Sequence, residues 1–199
     1  IENNPDRILK KLPRQDWQFF TKGKELVYLV KYMGIIPIGK AKIRVNGSTS
    51  YNGREVYKLV AEAQTSGLAS IFYQAKARIE SYTDKDKFYS LRYKEELFLP
   101  DKDIETKEIT YDQKNLIMTR GNFKRKILPN TQDPLSAIFY LRTQDFDINK
   151  SLSINTITKE DNYEININVI KKLDGIFFLK STIERQDKTR QVGTFYLWL

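Results

Sequence analysis

Polar and apolar residues alternate along most of this chain. Tyr89, Leu91, Tyr93 and Leu97 are interleaved with Ser90, Arg92, Lys94 and Glu96, while Gly39, Ala41, Ile43 and Val45 are interleaved with Lys40, Lys42 and Arg44. A period of two places alternate side chains on opposite faces of an extended strand, one dry and one wet. The same pattern predicts strands over residues 25–33, 40–45, 55–65, 77–82, 88–97, 104–111, 116–120, 122–128, 151–158, 163–170, 175–184 and 194–199. Gly34, Pro37 and Gly39 punctuate the first reversal, and the stretch from Asn46-Gly47 to Asn52-Gly53 reads as the second. Residues 67–74 fit either a helical turn or a widened link between strands. About ten strands is more than an open twisted sheet holds comfortably, so the expected fold is all-β and mainly antiparallel, a strongly curved sheet or barrel-like meander.

One segment breaks this rule. Asp133 is a helix N-cap residue, Pro134 stands at the first helical position where its missing donor costs nothing, and Arg142 places a cation near the C-terminal end of the dipole. Leu135, Ile138, Phe139 and Arg142 follow the i, i+3, i+4, i+7 spacing of a single helix face. The spacing predicts one short helix over 133–142, capping one end of the sheet.

Residues 1–22 carry no clean period. Ile8, Leu9 and Leu12 fit one amphipathic turn before Pro13, and Trp17, Phe19 and Phe20 an apolar anchor. No linker composition divides the chain beyond residue 22, so the expected organisation is a lead-in over 1–22 and a single β-rich domain over 23–199. The closing run Thr194 to Leu199 is apolar without a polar end and is expected to lead into a further strand.

Charge adds a bias without a specificity. Among 199 residues, 34 Lys plus Arg stand against 25 Asp plus Glu, a net charge of +9. Nucleic acid, anionic head groups and acidic polymers all answer to such a field. The cations are dispersed, and Lys40, Lys42 and Arg44 share their strand with no aromatic, so the interleaving that single-stranded nucleic acid requires is missing and no nucleic-acid partner is expected.

The chain has no Cys and no His. That excludes disulfides, thiolate metal sites and Ser-His or Cys-His nucleophiles. No spaced calcium loop or phosphate-cradling glycine loop is present, and no metal or cofactor is expected. Ser136 lies at a helix start, where a hydroxyl ordinarily bonds the backbone. Glu95 and Glu96 are adjacent on a strand and point to opposite faces, while Glu80 and Asp84 suit pairing with Arg78 or turn hydrogen bonds.

Four segments in order, Tyr32 to Ala41, Ala63 to Leu68, Glu80 to Asp84 and Gln132 to Arg142, resemble the bacterial exported family catalogued as domain of unknown function 3108. The resemblance covers roughly Gly23 to Leu199, with the Asp-Pro-Leu-Ser helix its most specific piece. It implies export across the inner membrane, a periplasmic or cell-envelope location, mainly β structure and no agreed reaction, so no catalytic residue is carried over.

Twelve Tyr and eleven Phe remain as a lead. Tyr28, Tyr32, Tyr57, Tyr89 and Tyr93 occupy strand positions from which rings and hydroxyl tips would line a concave face, although aromatics are favoured in strands in any case. The leading expectation is therefore a non-enzymatic envelope protein binding a lipid, an amphiphile or an anionic envelope polymer at such a face. A carboxylate-dependent enzyme acting on envelope glycans and a scaffold or assembly partner are the alternatives.

Overall fold

The computed structural model describes residues 25–32, 36–67, 69–100, 102–148, 150–158, 161–186 and 191–199, and the lead-in expected over 1–22 lies outside the described residues. The strands are β1 (Glu25–Tyr32), β2 (Ile36–Tyr51), β3 (Arg54–Thr65), β4 (Lys76–Asp84), β5 (Ser90–Phe98), β6 (Glu105–Asp112), β7 (Ile117–Arg120), β8 (Phe123–Lys126), β9 (Ser151–Thr158), β10 (Asp161–Leu173), β11 (Ile176–Arg185) and β12 (Gln191–Trp198). Two helices interrupt them, α1 (Ala69–Phe72) between β3 and β4 and α2 (Pro134–Arg142) between β8 and β9.

Antiparallel pairing is confirmed throughout the named strands, but the single curved layer is not. The strands form two sheets, eight in sequential order from β1 to β8 and four from β9 to β12. Closure into a barrel is not seen among the described residues, where β1 and β12 each pair with one neighbour. The sheets meet along the segment after β8. There Gln132 bridges Thr156 in parallel, its N–H donating to Asn155 O at 2.8 Å, while Asn155 Nδ2 donates to Pro129 O at 2.9 Å.

The second reversal falls later than the first Asn-Gly pair. β2 runs on through Asn46-Gly47, where a register shift between Val45 and Ser48 makes a bulge with Gly47 at φ +93°, and pairing resumes from Ser48 opposite Tyr57. The chain turns at Asn52-Gly53, both at positive φ, as the tight hairpin turn requires.

Strand alternation sorts the core as expected. Ile43, Val45, Tyr57, Leu59 and Ala61 are buried on the helix side of the large sheet with Phe88, Leu135 and Phe139. The opposite face is not simply wet. Val60 is buried beneath a ladder of ion pairs, Arg44 to Glu62, Lys58 to Glu80 and Arg78 to Glu80, whose aliphatic stems cover it.

The helix corrects the one-face reading. Leu135 and Phe139 join the core of the large sheet, whereas Ala137 and Leu141 pack with Ile154, Ile167, Val169 and Leu179 of the small one. Leu135 and Ala137 are about 200° apart around the axis, so α2 is buried from two sides. It fills the junction between the sheets instead of capping one end, and Ile138 and Arg142 of the expected face are only half-buried.

Candidate functional site

The N-terminus of α2 sits on a buried polar knot. Asp133 Oδ1 accepts from the N–H groups of Leu135 and Ser136, both at 2.8 Å, and Oδ2 accepts from Ser81 Oγ at 2.6 Å and Ser90 Oγ at 2.7 Å. Ser90 Oγ also accepts from Asp133 N at 2.6 Å and lies within hydrogen-bond distance of Ser136 Oγ, at 2.7 Å. Ser81 Oγ lies 3.1 Å from Thr83 Oγ1. Ser136 thus bonds the helix-start backbone, as its position predicts, through Asp133 N and O. Burial pushes the Asp133 pKa up, and the four donors pull the other way without winning. Sealed from solvent, this carboxyl holds β4, β5 and α2 together and is out of reach of a substrate.

An open cleft lies on the other face. Val56 neighbours Tyr57 on β3 and therefore points away from the helix, forming a small apolar cluster with Tyr89, Leu91, Tyr51 and Tyr82. Above it, Tyr51, Asn52, Arg54, Leu91, Thr110, Tyr111, Asp112 and Gln113 line a cleft of about 370 Å³. The β2–β3 hairpin and the β6–β7 turn bring these residues together.

Arg54 is its cation. Nη1 donates to Tyr89 Oη at 2.9 Å and stands 3.8 Å from Asp84 Oδ2, yet the side chain is 46% exposed. Asp112 is held by the turn that follows it. Oδ1 accepts from Asn115 N at 2.9 Å and Lys114 N at 3.1 Å, Oδ2 from Asn115 Nδ2 at 2.6 Å, and the Asn115 N–H first of all holds its pKa below the ordinary value. Asp84 spends Oδ1 similarly, on the N–H groups of Asp86 and Lys87. Gln113 fixes the floor, its Nε2 donating to Ser90 O at 2.8 Å and Thr131 O at 2.9 Å.

The five tyrosines singled out from the sequence do not share a wall. Tyr57 is buried in the helix-side core, stacked on Phe88, and Tyr28 flanks the same core. Tyr93 is buried with Ile109, Tyr111 and Met118, its hydroxyl donating to Glu95 at 2.9 Å, and burial raises its pKa. Tyr89 alone meets the cleft, as the acceptor that positions Arg54. Tyr32 closes β1 opposite Ile36, and its side chain lies outside the described residues. Sequence reading missed Tyr51, Asn52, Arg54 and Gln113. The Asn52-Gly53 turn marks where the first three gather, but nothing local reveals that the β6–β7 turn stands beside them.

A family model described as protein of unknown function (DUF3108) matches residues 27–176. The chain belongs to the DUF3108 family. The DUF3108 match takes in nearly all of the eight-stranded sheet, α2, β9 and β10, so the polar knot and the cleft both fall inside it. No curated protein matches, and neither does any solved structure. The DUF3108 description carries no reaction, and the chemistry of the cleft is left to its own residues.

Proposed function

We propose that this chain is an exported envelope protein that binds, without transforming it, a hydroxyl-rich segment of an anionic envelope polymer. The observation that carries the reading is the composition of the cleft: an aromatic ring from Tyr51, amide groups from Asn52 and Gln113, an ionised acceptor in Asp112 and a half-exposed guanidinium in Arg54. Rings and amides suit sugar faces and hydroxyls, and a planar guanidinium suits a carboxylate or phosphate on the same polymer. This lining favours a polymer over an amphiphile, whose chain needs an apolar tunnel. It also favours binding over hydrolysis. General acid catalysis needs a carboxyl kept protonated near neutral pH, and the acid lining the cleft, Asp112, is held below its ordinary pKa by its turn.

The test is calorimetric titration with a uronic-acid oligosaccharide and with its carboxyl-reduced counterpart. The acidic form binds about tenfold tighter, as one charge-assisted hydrogen-bonded contact implies, and Arg54→Gln erases that difference. Absence of binding by either form, or an Arg54→Gln variant that discriminates as before, refutes the reading. Export rests on the family resemblance and is tested by fractionating cells that express the natural full-length protein. Recovery in the cytosol alone would overturn it.

A further inference from the structure

The two edges of the eight-stranded sheet differ in chemistry. Because its strands pair in sequential antiparallel order, alternate connections emerge at opposite edges, each about 10 Å from the next on its own side. The β2–β3, β4–β5 and β6–β7 turns carry the polar cleft and charged residues such as Lys85, Asp86 and Lys114. The other edge gathers the β1–β2, β3–β4, β5–β6 and β7–β8 connections, and there Ile36, Ile71, Phe72, Tyr73, Ile104 and Phe123 are all exposed. Phe72 is 86% exposed and Ile71 72%, at the tip of α1, far more than a folded chain ordinarily concedes to two consecutive large apolar side chains.

Cations frame this apolar edge. Lys40 and Lys76 both lie opposite Gln64, on one row of the sheet that ends at Phe98. Both are exposed and have no ion-pair partner among the described residues, and the same holds for Lys31 and Lys102 nearby. Two rows further from the edge, on the same face, the pattern changes abruptly, with Lys42 held by Glu25 and Arg78 by Glu62 and Glu80. Arg120 and Lys124 extend the positive rim at the β7–β8 turn, and Asp103 and Glu105 are the exposed acids on this edge among the described residues. Neutralised charge in the middle of the face and uncompensated charge at its apolar margin is the arrangement that an anionic bilayer surface selects. Lysines meet the head groups while large apolar side chains enter the boundary with the acyl chains.

We propose that this edge docks on an anionic lipid bilayer, with Ile71 and Phe72 inserted and Lys40 and Lys76 against the phosphates, leaving the polar cleft facing away from the membrane. The experiment is co-sedimentation of the full chain with vesicles of phosphatidylcholine alone and of phosphatidylcholine mixed with phosphatidylglycerol, in low and high salt. Binding is expected only to the anionic vesicles, weaker in high salt as the field is screened. Ile71→Ser with Phe72→Ser lowers partitioning tenfold or more, and Lys40→Glu with Lys76→Glu lowers it at least about fivefold per lysine. All four side chains are exposed, so the melting temperatures stay near that of the parent. A Phe72→Trp variant should show emission quenched by brominated lipids beyond that of the parent chain. Absence of vesicle binding, binding that both double variants retain, or a Phe72→Trp variant quenched no more than the parent overturns the proposal. So does a pair of variants whose only effect is to change the sedimentation of the protein by itself, since that makes the edge a contact between copies.

Discussion

Asp133→Ala is the sharpest test of how the two sheets are joined. The substitution removes an acceptor from four donors. The two hydroxyls can turn elsewhere, Ser81 toward Thr83 and Ser90 toward Ser136. The N–H groups of Leu135 and Ser136 cannot, and in this buried place each is left unpaired at a cost of about 1–3 kcal/mol. Relief from burying an ionised group offsets part of that, as the raised pKa of Asp133 shows. The net loss is about 2–4 kcal/mol, or roughly 10 °C in Tm for a chain of this length. Asp133→Asn keeps an oxygen for both N–H groups and should cost about 1 kcal/mol near neutral pH. Its deficit carries a pH signature. A carboxyl whose folded pKa is raised supports folding fully below its unfolded pKa, and that support is lost as pH rises through the folded value. Asparagine has no such proton, so the deficit of Asp133→Asn is largest near about pH 4 and shrinks toward neutrality. Urea unfolding followed by circular dichroism across that range measures both variants. An Ala variant within about 1 kcal/mol of the parent, or an Asn variant as damaged as Ala at every pH, refutes the carboxyl as the organiser of this junction.

Three further outcomes follow from particular contacts. Phe139→Ala empties a fully buried site between α2 and the large sheet and should cost about 3–5 kcal/mol in urea unfolding, whereas Phe72→Ala at the exposed tip of α1 should cost less than about 0.5 kcal/mol. Gly39→Ala drives a methyl to 2.7 Å from the carbonyl oxygen of Gln64 on the paired strand, a backbone neighbour that cannot swing aside, so a loss of about 1–3 kcal/mol is expected in thermal melts. Glu62 and Glu108 are held below their ordinary pKa chiefly by hydrogen bonds from Arg44 and Arg92. Their contribution is complete above about pH 4.5 and lost as pH falls through the lowered values, so the urea midpoint should drop over that acid range, less steeply in Glu62→Gln and in added salt.

Local pattern carried the fold further than it carried the site. The alternation around Ile43 and Tyr93 reports a dry face directly, and the Asp133-Pro134 start reports a helix, because both depend on neighbours within a few residues. The bulge at Gly47 was illegible for the opposite reason. Asn-Gly is the same dipeptide whether the chain reverses or continues, and the pairing of Ser48 with Tyr57 decides between them. The two-sided burial of α2 was hidden as well, since Leu135 with Phe139 and Ala137 with Leu141 are each a valid i, i+4 pair and only a second sheet makes use of both. The tyrosine set failed to single out a wall because a ring at an alternating position suits a core, an ion-pair platform or a pocket equally. Arg54 became visible only when Tyr89 and Asp84, far along the chain, stood beside it.

The placement of α2 after β8 has a consequence for the order in which this protein is made. Strands β1 to β8 pair only with their sequence neighbours, so each hairpin can zip as soon as its second strand is free, at the low loop-closure cost of neighbouring segments. The inner side of that sheet, with Ile43, Tyr57 and Leu59, nevertheless has no cover until Leu135 and Phe139 emerge. A chain folded only as far as β8 is therefore a ladder with a sticky underside, and the helix that follows is its lid as well as its bridge to the four strands beyond.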